Sequence, residues 1–101
     1  MTYKYPEKRE AWKTKERTKL KLLILTYLSD HSCIDCGEDD PIVLEFDHVR
    51  GTKIKAVSAL VNDCRDWKDI SIEIEKCDVR CANCHKRKTA KELGFWKQIA
   101  S

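Results

Sequence analysis

The stretch RCANCHKRKT, Arg80 to Thr89, sets two cysteines two residues apart with a histidine directly behind the second. That spacing lets one backbone turn present both sulfurs to a single ion, so Cys81 and Cys84 read as half of a tetrahedral zinc site. The other half lies upstream in CIDCGEDDP, where Cys33 and Cys36 repeat the spacing and Gly37 supplies the tight bend a metal knuckle needs. Four thiolates give Zn2+ a closed shell, the structural type of site. The 44 residues between Cys36 and Cys81 exceed a short finger loop, so a folded unit must lie between the knuckles. Buried apolar cysteines would not explain two paired spacings. Of the remaining pair, Cys64 reads as an ordinary small residue near a turn and Cys77 as a buried one on an apolar face. His31, two residues before Cys33, reads as a solvated loop histidine rather than a ligand.

Working outward, 101 residues imply one domain, and near this size a bound metal is a common aid to stability. The chain is 42% apolar and 37% charged, and its net charge of +3 hides a segregation. Residues 1–21 carry eight Lys or Arg against three Glu; residues 30–47 carry seven acidic groups and no Lys or Arg; residues 86–101 carry five basic groups against one acidic. Basic ends point to a polyanion as partner, and the acidic middle to a cation or a solvated loop. The longest apolar run, LLILTYL from Leu22 to Leu28, is far short of the ~20 residues of a membrane span. The start is polar and lacks the apolar stretch of a signal peptide. A cytoplasmic location with no membrane partner is therefore the expectation, and in that reducing compartment six cysteines read as metal ligands sooner than as disulfides.

Residues 1–6 read as a loose end. From Glu7 to Ser29 the pattern is helical, with Leu20, Leu23, Ile24, Tyr27 and Leu28 as a buried stripe and a charged N-terminal half, around Trp12, that projects from the core. Ile42 to Val49 is rich in β-branched and aromatic residues and reads as a strand, with Gly51 as a turn and a short second strand at Thr52 to Ile54. Val57, Leu60 and Val61 mark a brief helix. DISIEIEK, Asp69 to Lys76, fits a strand by its alternating Ile70, Ile72 and Ile74, and equally a helix face of Trp67, Ile70, Ile74 and Cys77. Cys81 to Leu93 reads as a knuckle leading into a helix that stops at Gly94, and Phe95 to Ile99 is expected to pack, with the first helix as one partner.

The second cluster of chemistry is EFDHVRG. Asp47 and His48 end the strand, a hard carboxylate beside an imidazole. In a regular strand the two point to opposite faces, so sharing one site requires the chain to bend, which Gly51 permits. One zinc joining the knuckles would clamp the loop before this strand to the start of the last helix. His85 follows the ligand Cys84 by one helical position, ~100° around the axis, and so turns away from the zinc toward the strand.

Together, CIDCG, LEFDHVRG and CDVRCANCHKRKT resemble the zinc-containing HNH endonucleases of the ββα-metal class, over about Cys33 to Thr89 and in the same order. The resemblance implies a small zinc-stabilised α+β domain: a ββα-metal hairpin-plus-helix core, residues 31–101, with an added long basic N-terminal helix in residues 1–30 as part of the same unit. It implies that Asp47 and His85 hold one divalent ion (Mg2+, Mn2+ or another), that His48 is the general base, and that Cys33, Cys36, Cys81 and Cys84 hold the structural zinc. It favours helix before Cys77. One departure is plain: the family's middle Asn, which orients the base, has no obvious counterpart, and Asn62 and Ser58 are the two candidates.

The activity so implied is hydrolysis of DNA phosphodiester bonds, with the metal at the leaving 3′-oxygen and 5′-phosphate products. A histidine side chain, with a reference pKa of ~6.5, takes a proton from water near neutral pH. Arg50, Lys53, Lys86, Arg87 and Lys88 flank the site and would grip the phosphate backbone, which binds without reading sequence. The basic first helix is either a second DNA arm or a solvated charged helix. Many short family members are phage-encoded, which would place such a chain in the host cytoplasm and inside a larger phage or host DNA-processing complex. The competing reading is a non-catalytic zinc module that binds nucleic acid or protein; it needs the cysteines and the basic surface but has no use for Asp47, His48 and His85 together.

Overall fold

The computed structural model describes residues 6–94. The element order is a long helix α1 (Pro6–Ser29), a 3-10 turn (Pro41–Val43), strand β1 (Leu44–His48), helices α2 (Val57–Asn62) and α3 (Trp67–Glu75), strand β2 (Cys77–Cys81) and helix α4 (Ala82–Leu93). The segment Phe95 to Ile99, expected to pack, lies outside the described residues. No helix among the described residues is long and apolar enough to cross a membrane.

The stripe of α1 forms largely as its spacing dictates. Leu20 and Leu28 are buried, and Ile24 and Tyr27 pack beside them, whereas Leu23 lies at the margin, 37% exposed. Two contacts tie the middle of α1 to the turn after α2: the Cys64 thiol donates to the Lys13 carbonyl at 3.7 Å, and Arg17 Nε donates to the Asn62 carbonyl at 3.0 Å. Cys64 sits in that turn with φ 55, a backbone conformation that bends the chain between the two short helices.

The ambiguous segment is the helix α3. Its face of Ile70 and Ile74, with Trp67 beside them, meets Val57, Leu60 and Val61 of α2 and Leu20 of α1 in one apolar cluster. Ile72, which a strand would have placed on one face with Ile70 and Ile74, is 48% exposed in the helix. The partner of β1 is consequently Cys77–Cys81, which begins one residue after α3 ends. β1 and β2 run antiparallel, from Leu44 opposite Cys81 to His48 opposite Cys77. The expected second strand at Thr52 to Ile54 does not form: the chain leaves β1 through an irregular loop, and the ladder is filled by Cys77–Cys81 instead. The start of the expected Ile42 to Val49 strand is also altered, because Asp40 caps a 3-10 turn by accepting from Ile42 N at 3.0 Å.

The two-stranded sheet thus has two working faces. Leu44, Phe46, Val79 and Cys81 face the helical core, where a second cluster adds Leu28, Cys33 and Cys84. Glu45, Asp47 and Arg80 face the other way, toward α4. The β1–β2–α4 unit is a ββα-type core, and α1 to α3 back its apolar face.

Candidate metal centre and the polar site beside it

The first knuckle is built by backbone. Cys33 N–H donates to the Glu38 carbonyl at 2.8 Å and Gly37 N–H to the Cys33 carbonyl at 2.9 Å, closing a tight loop that Gly37 completes at φ 82. Ile34 N–H donates to the Val79 carbonyl at 2.9 Å, which docks this loop on β2. The second knuckle is the β2–α4 junction. Cys81 is the N-cap of α4, and its sulfur accepts from Cys84 N at 3.4 Å.

The ligand sulfurs of Cys33, Cys36, Cys81 and Cys84 lie within 4.8 Å of one another. A tetrahedral Zn2+ with ~2.3 Å bonds to sulfur needs sulfurs about 3.8 Å apart. The Cys36 and Cys81 sulfurs stand 3.7 Å apart. Without a cation this crowding works against the thiolate form: hydrogen bonding to Cys81 and then burial push the Cys84 thiol up to about 12. Burial also pushes Cys33 up, but backbone hydrogen bonds at Cys81, Cys36 and Asp35 outweigh it and bring that thiol down to about 6. The donor set therefore fits a soft divalent ion that neutralises clustered thiolates. His31 is not among the four; its Nδ1 meets the Tyr27 carbonyl at 2.7 Å and its ring stacks on Tyr27.

On the opposite face of the sheet, β1 and α4 bring Asp47, His85 and Lys88 together. His85 Nε2 lies 3.4 Å from Asp47 Oδ1, and Lys88 Nζ lies 3.1 Å from Asp47 Oδ2. Asp47 is 7% exposed, so its charge needs these partners. Two further residues, which spacing alone did not reveal, complete the group. Glu45 Oε1 accepts from His85 Nδ1 at 2.8 Å, and Arg80 Nη1 donates to Asp47 Oδ2 at 2.8 Å while its Nε donates to Asp35 at 2.8 Å. The signal for both was available: Glu45 and Arg80 are two and one residues from motif positions, on the strand face that Asp47 defines. The carboxylates hold the Arg80 guanidinium charge above its ordinary range, Asp35 foremost.

His48 is placed elsewhere. β1 runs regularly through it, so no bend brings it onto the face of Asp47. Its Nε2–H donates to Glu73 Oε2 on α3 at 2.9 Å. The hydrogen-bond partner of His48 is thus Glu73 rather than Asn62 or Ser58, which lie on α2. Of the expected phosphate contacts, Lys53, Lys86 and Arg87 are exposed. Arg50 folds back, donating to the Glu75 and Cys77 carbonyls and pairing with Asp78. Arg80, Arg87, Lys88 and Lys91 line one cleft of about 470 Å³, with Asp35 and Glu92.

No protein-family model matches the chain, and neither a curated protein nor a solved structure matches it. On its own geometry the chain is a small α+β metal-binding module with a ββα-type core and a four-cysteine site able to hold zinc.

Proposed function

We propose that this module is a metal-dependent DNA endonuclease of the HNH type, of low sequence specificity, with DNA as its partner. The observation that carries the proposal is the pairing of His85 with Asp47. Glu45 accepts from His85 Nδ1, and His85 Nε2 lies beside Asp47 Oδ1, 3.4 Å away. A carboxylate behind a histidine is the usual support of an imidazole that ligates a metal. Two neighbouring ligands of a six-coordinate Mg2+ stand about 3.0 Å apart, so Asp47 and His85 need close by only a few tenths of an ångström. Such an ion, when bound, supplies charge neutralisation at phosphorus and at the leaving oxygen.

The chain's own residues do the rest. Arg80 and Lys88 hold Asp47 through Oδ2, keeping Oδ1 toward His85. The same two cations line the cleft with Arg87 and Lys91, a surface that complements phosphate without reading bases. In this reading His48, the last residue of β1 and on the face opposite Asp47, takes the proton from a water at the strand's end.

A second reading is favoured by a different observation. Asp47 already has two cations and His48 already has Glu73, so a non-catalytic zinc module accounts for these contacts with no second ion. Cleavage of supercoiled plasmid by the zinc-loaded chain, with Mg2+, Mn2+ or Ni2+ added, decides between the two.

A further inference from the structure

Asp47 carries one negative charge and already has two cationic partners. Arg80 Nη1 donates to Asp47 Oδ2 at 2.8 Å and Lys88 Nζ lies 3.1 Å from the same oxygen, while Oδ1 faces His85 Nε2. The two cations are not held alike. Arg80 is clamped: its Nε donates to Asp35 at 2.8 Å, its Nη1 also lies 3.5 Å from Asp78 Oδ2, and its side chain is 11% exposed. The Lys88 side chain is 30% exposed, and Glu92, one helical turn on and 2.8 Å from Nζ, is 58% exposed. An ammonium on a four-carbon stem at the edge of solvent exchanges such partners at little cost. Lys88 stands three residues after His85, so the two share one side of α4, and it lines the cleft with Arg80 and Arg87.

We propose that Lys88 is a gate on the ion site of Asp47 and His85. It neutralises Asp47 while the cleft is empty and leaves it for a phosphate of bound DNA, so that a divalent ion and DNA bind with positive coupling. This rests on the endonuclease function proposed above and adds its regulation. The reason is charge. Lys88 holds a full positive charge against the carboxylate that would ligate the ion, and like charges repel strongly at such range in a partly buried site. Each phosphodiester entering the cleft brings one negative charge, and Lys88 exchanges Asp47 for it. Asp47 then keeps Arg80 on Oδ2 and is left short of positive charge. No covalent bond changes, and Lys88 stays protonated throughout. By linkage, DNA and the ion raise each other's affinity by the same factor.

The test reads binding rather than turnover. Mn2+ is titrated into the zinc-loaded full chain without DNA, free ion is counted by electron paramagnetic resonance, and the binding that persists in Asp47→Ala is subtracted. Lys88→Met, which keeps the stem and removes the charge, should bind Mn2+ roughly 10-fold more tightly than wild type, within the usual range of coupled sites. Lys86→Met removes an exposed charge of the same helix and should change the affinity less than about 3-fold, because solvent screens it. If Lys88 instead supports the ion site by holding Asp47 in place, Lys88→Met binds Mn2+ more weakly, which overturns the proposal. Equal affinity overturns it too, as does a gain in Lys86→Met as large as that in Lys88→Met. If Lys88→Met does not load zinc, Lys88→Gln is read in the same way. A second arm measures the affinity of a fluorescent duplex by anisotropy in the His48→Ala background, with and without Mn2+. The ion should tighten DNA binding there, and most of that effect should vanish when Lys88→Met is added; coupling that is unchanged overturns the gate. The two levels of the account fail separately. Asp47-dependent Mn2+ binding of equal strength in wild type and Lys88→Met removes only the gate. No Asp47-dependent Mn2+ binding in either chain, with or without DNA, removes the endonuclease function and the gate with it.

Discussion

His85 spans two carboxylates, with Nδ1 2.8 Å from Glu45 Oε1 and Nε2 3.4 Å from Asp47 Oδ1, while its chain neighbour Cys84 turns its sulfur into the four-cysteine cluster. Two successive residues of one helix therefore serve two different sites. His85→Ala should keep the fold and one zinc per chain, and lose metal-dependent cleavage. Zinc stoichiometry, circular dichroism and plasmid nicking on the same sample check this; stoichiometric zinc release would place His85 on the other ion.

A paramagnetic ion separates the two sites without any catalysis. Mn2+ added to the zinc-loaded chain should broaden the NMR signals of His85 and Asp47, and this broadening should be lost in Asp47→Ala. Broadening spread evenly over the acidic loop at Glu38, Asp39 and Asp40 would mark a diffuse site instead.

Removing zinc should unfold the β1–β2–α4 unit. Three of the four cysteines are among the buried residues of the second apolar cluster, so the ion is continuous with that core. Structural zinc contributes about 10–16 kcal/mol of apparent binding energy in small domains, comparable to the ~5–15 kcal/mol that a whole domain usually commands. A chelator titration followed by circular dichroism should show cooperative loss of structure. Cys81→Ser should do the same, although a serine oxygen can still cap α4 by accepting from Cys84 N as the Cys81 sulfur does.

These outcomes bear on how much could be read from residues alone. The four cysteines, the helix stripe of α1 and the α4 helix with its Gly94 stop were legible because each follows from local spacing, and Gly94 does end α4 at φ 63. The strand partner of β1 was not, because pairing with Cys77–Cys81 depends on α2 and α3 folding between them. The orienting partner of His48 was sought on α2, at Asn62 or Ser58. Glu73 escaped notice because on α3 it lies between apolar residues that fit strand and helix equally well, and only the helical solution turns it toward His48.

The charge on Glu73 makes stability depend on pH in a definite direction. Its carboxyl is held below the ordinary value of 4.5, so the ionised form stabilises the fold fully above that value. This contribution fades as pH falls through the lower folded-state value. The stability gap between wild type and Glu73→Gln should therefore be full at neutral pH and shrink below about 4.5. Denaturant titrations of both proteins across this range measure it; a gap that grows on acidification contradicts the assignment.

Core packing gives a prediction independent of either ion. Ile70 is 0% exposed at the meeting of α1, α2 and α3. Ile70→Ala should cost about 2–5 kcal/mol, read as a shift in the denaturant midpoint of the zinc-loaded chain. A cost under ~1 kcal/mol would mean that α3 does not pack as described.

Cleavage itself tests the account most directly. Zinc-loaded chain is incubated with supercoiled plasmid and Mg2+, Mn2+ or Ni2+, beside His48→Ala matched for zinc content and fold. The account predicts nicking that requires the added ion and falls roughly 10²–10⁴-fold in His48→Ala. A folded, zinc-loaded wild type that leaves the plasmid intact with every one of these metals would contradict it, as would equal nicking by His48→Ala.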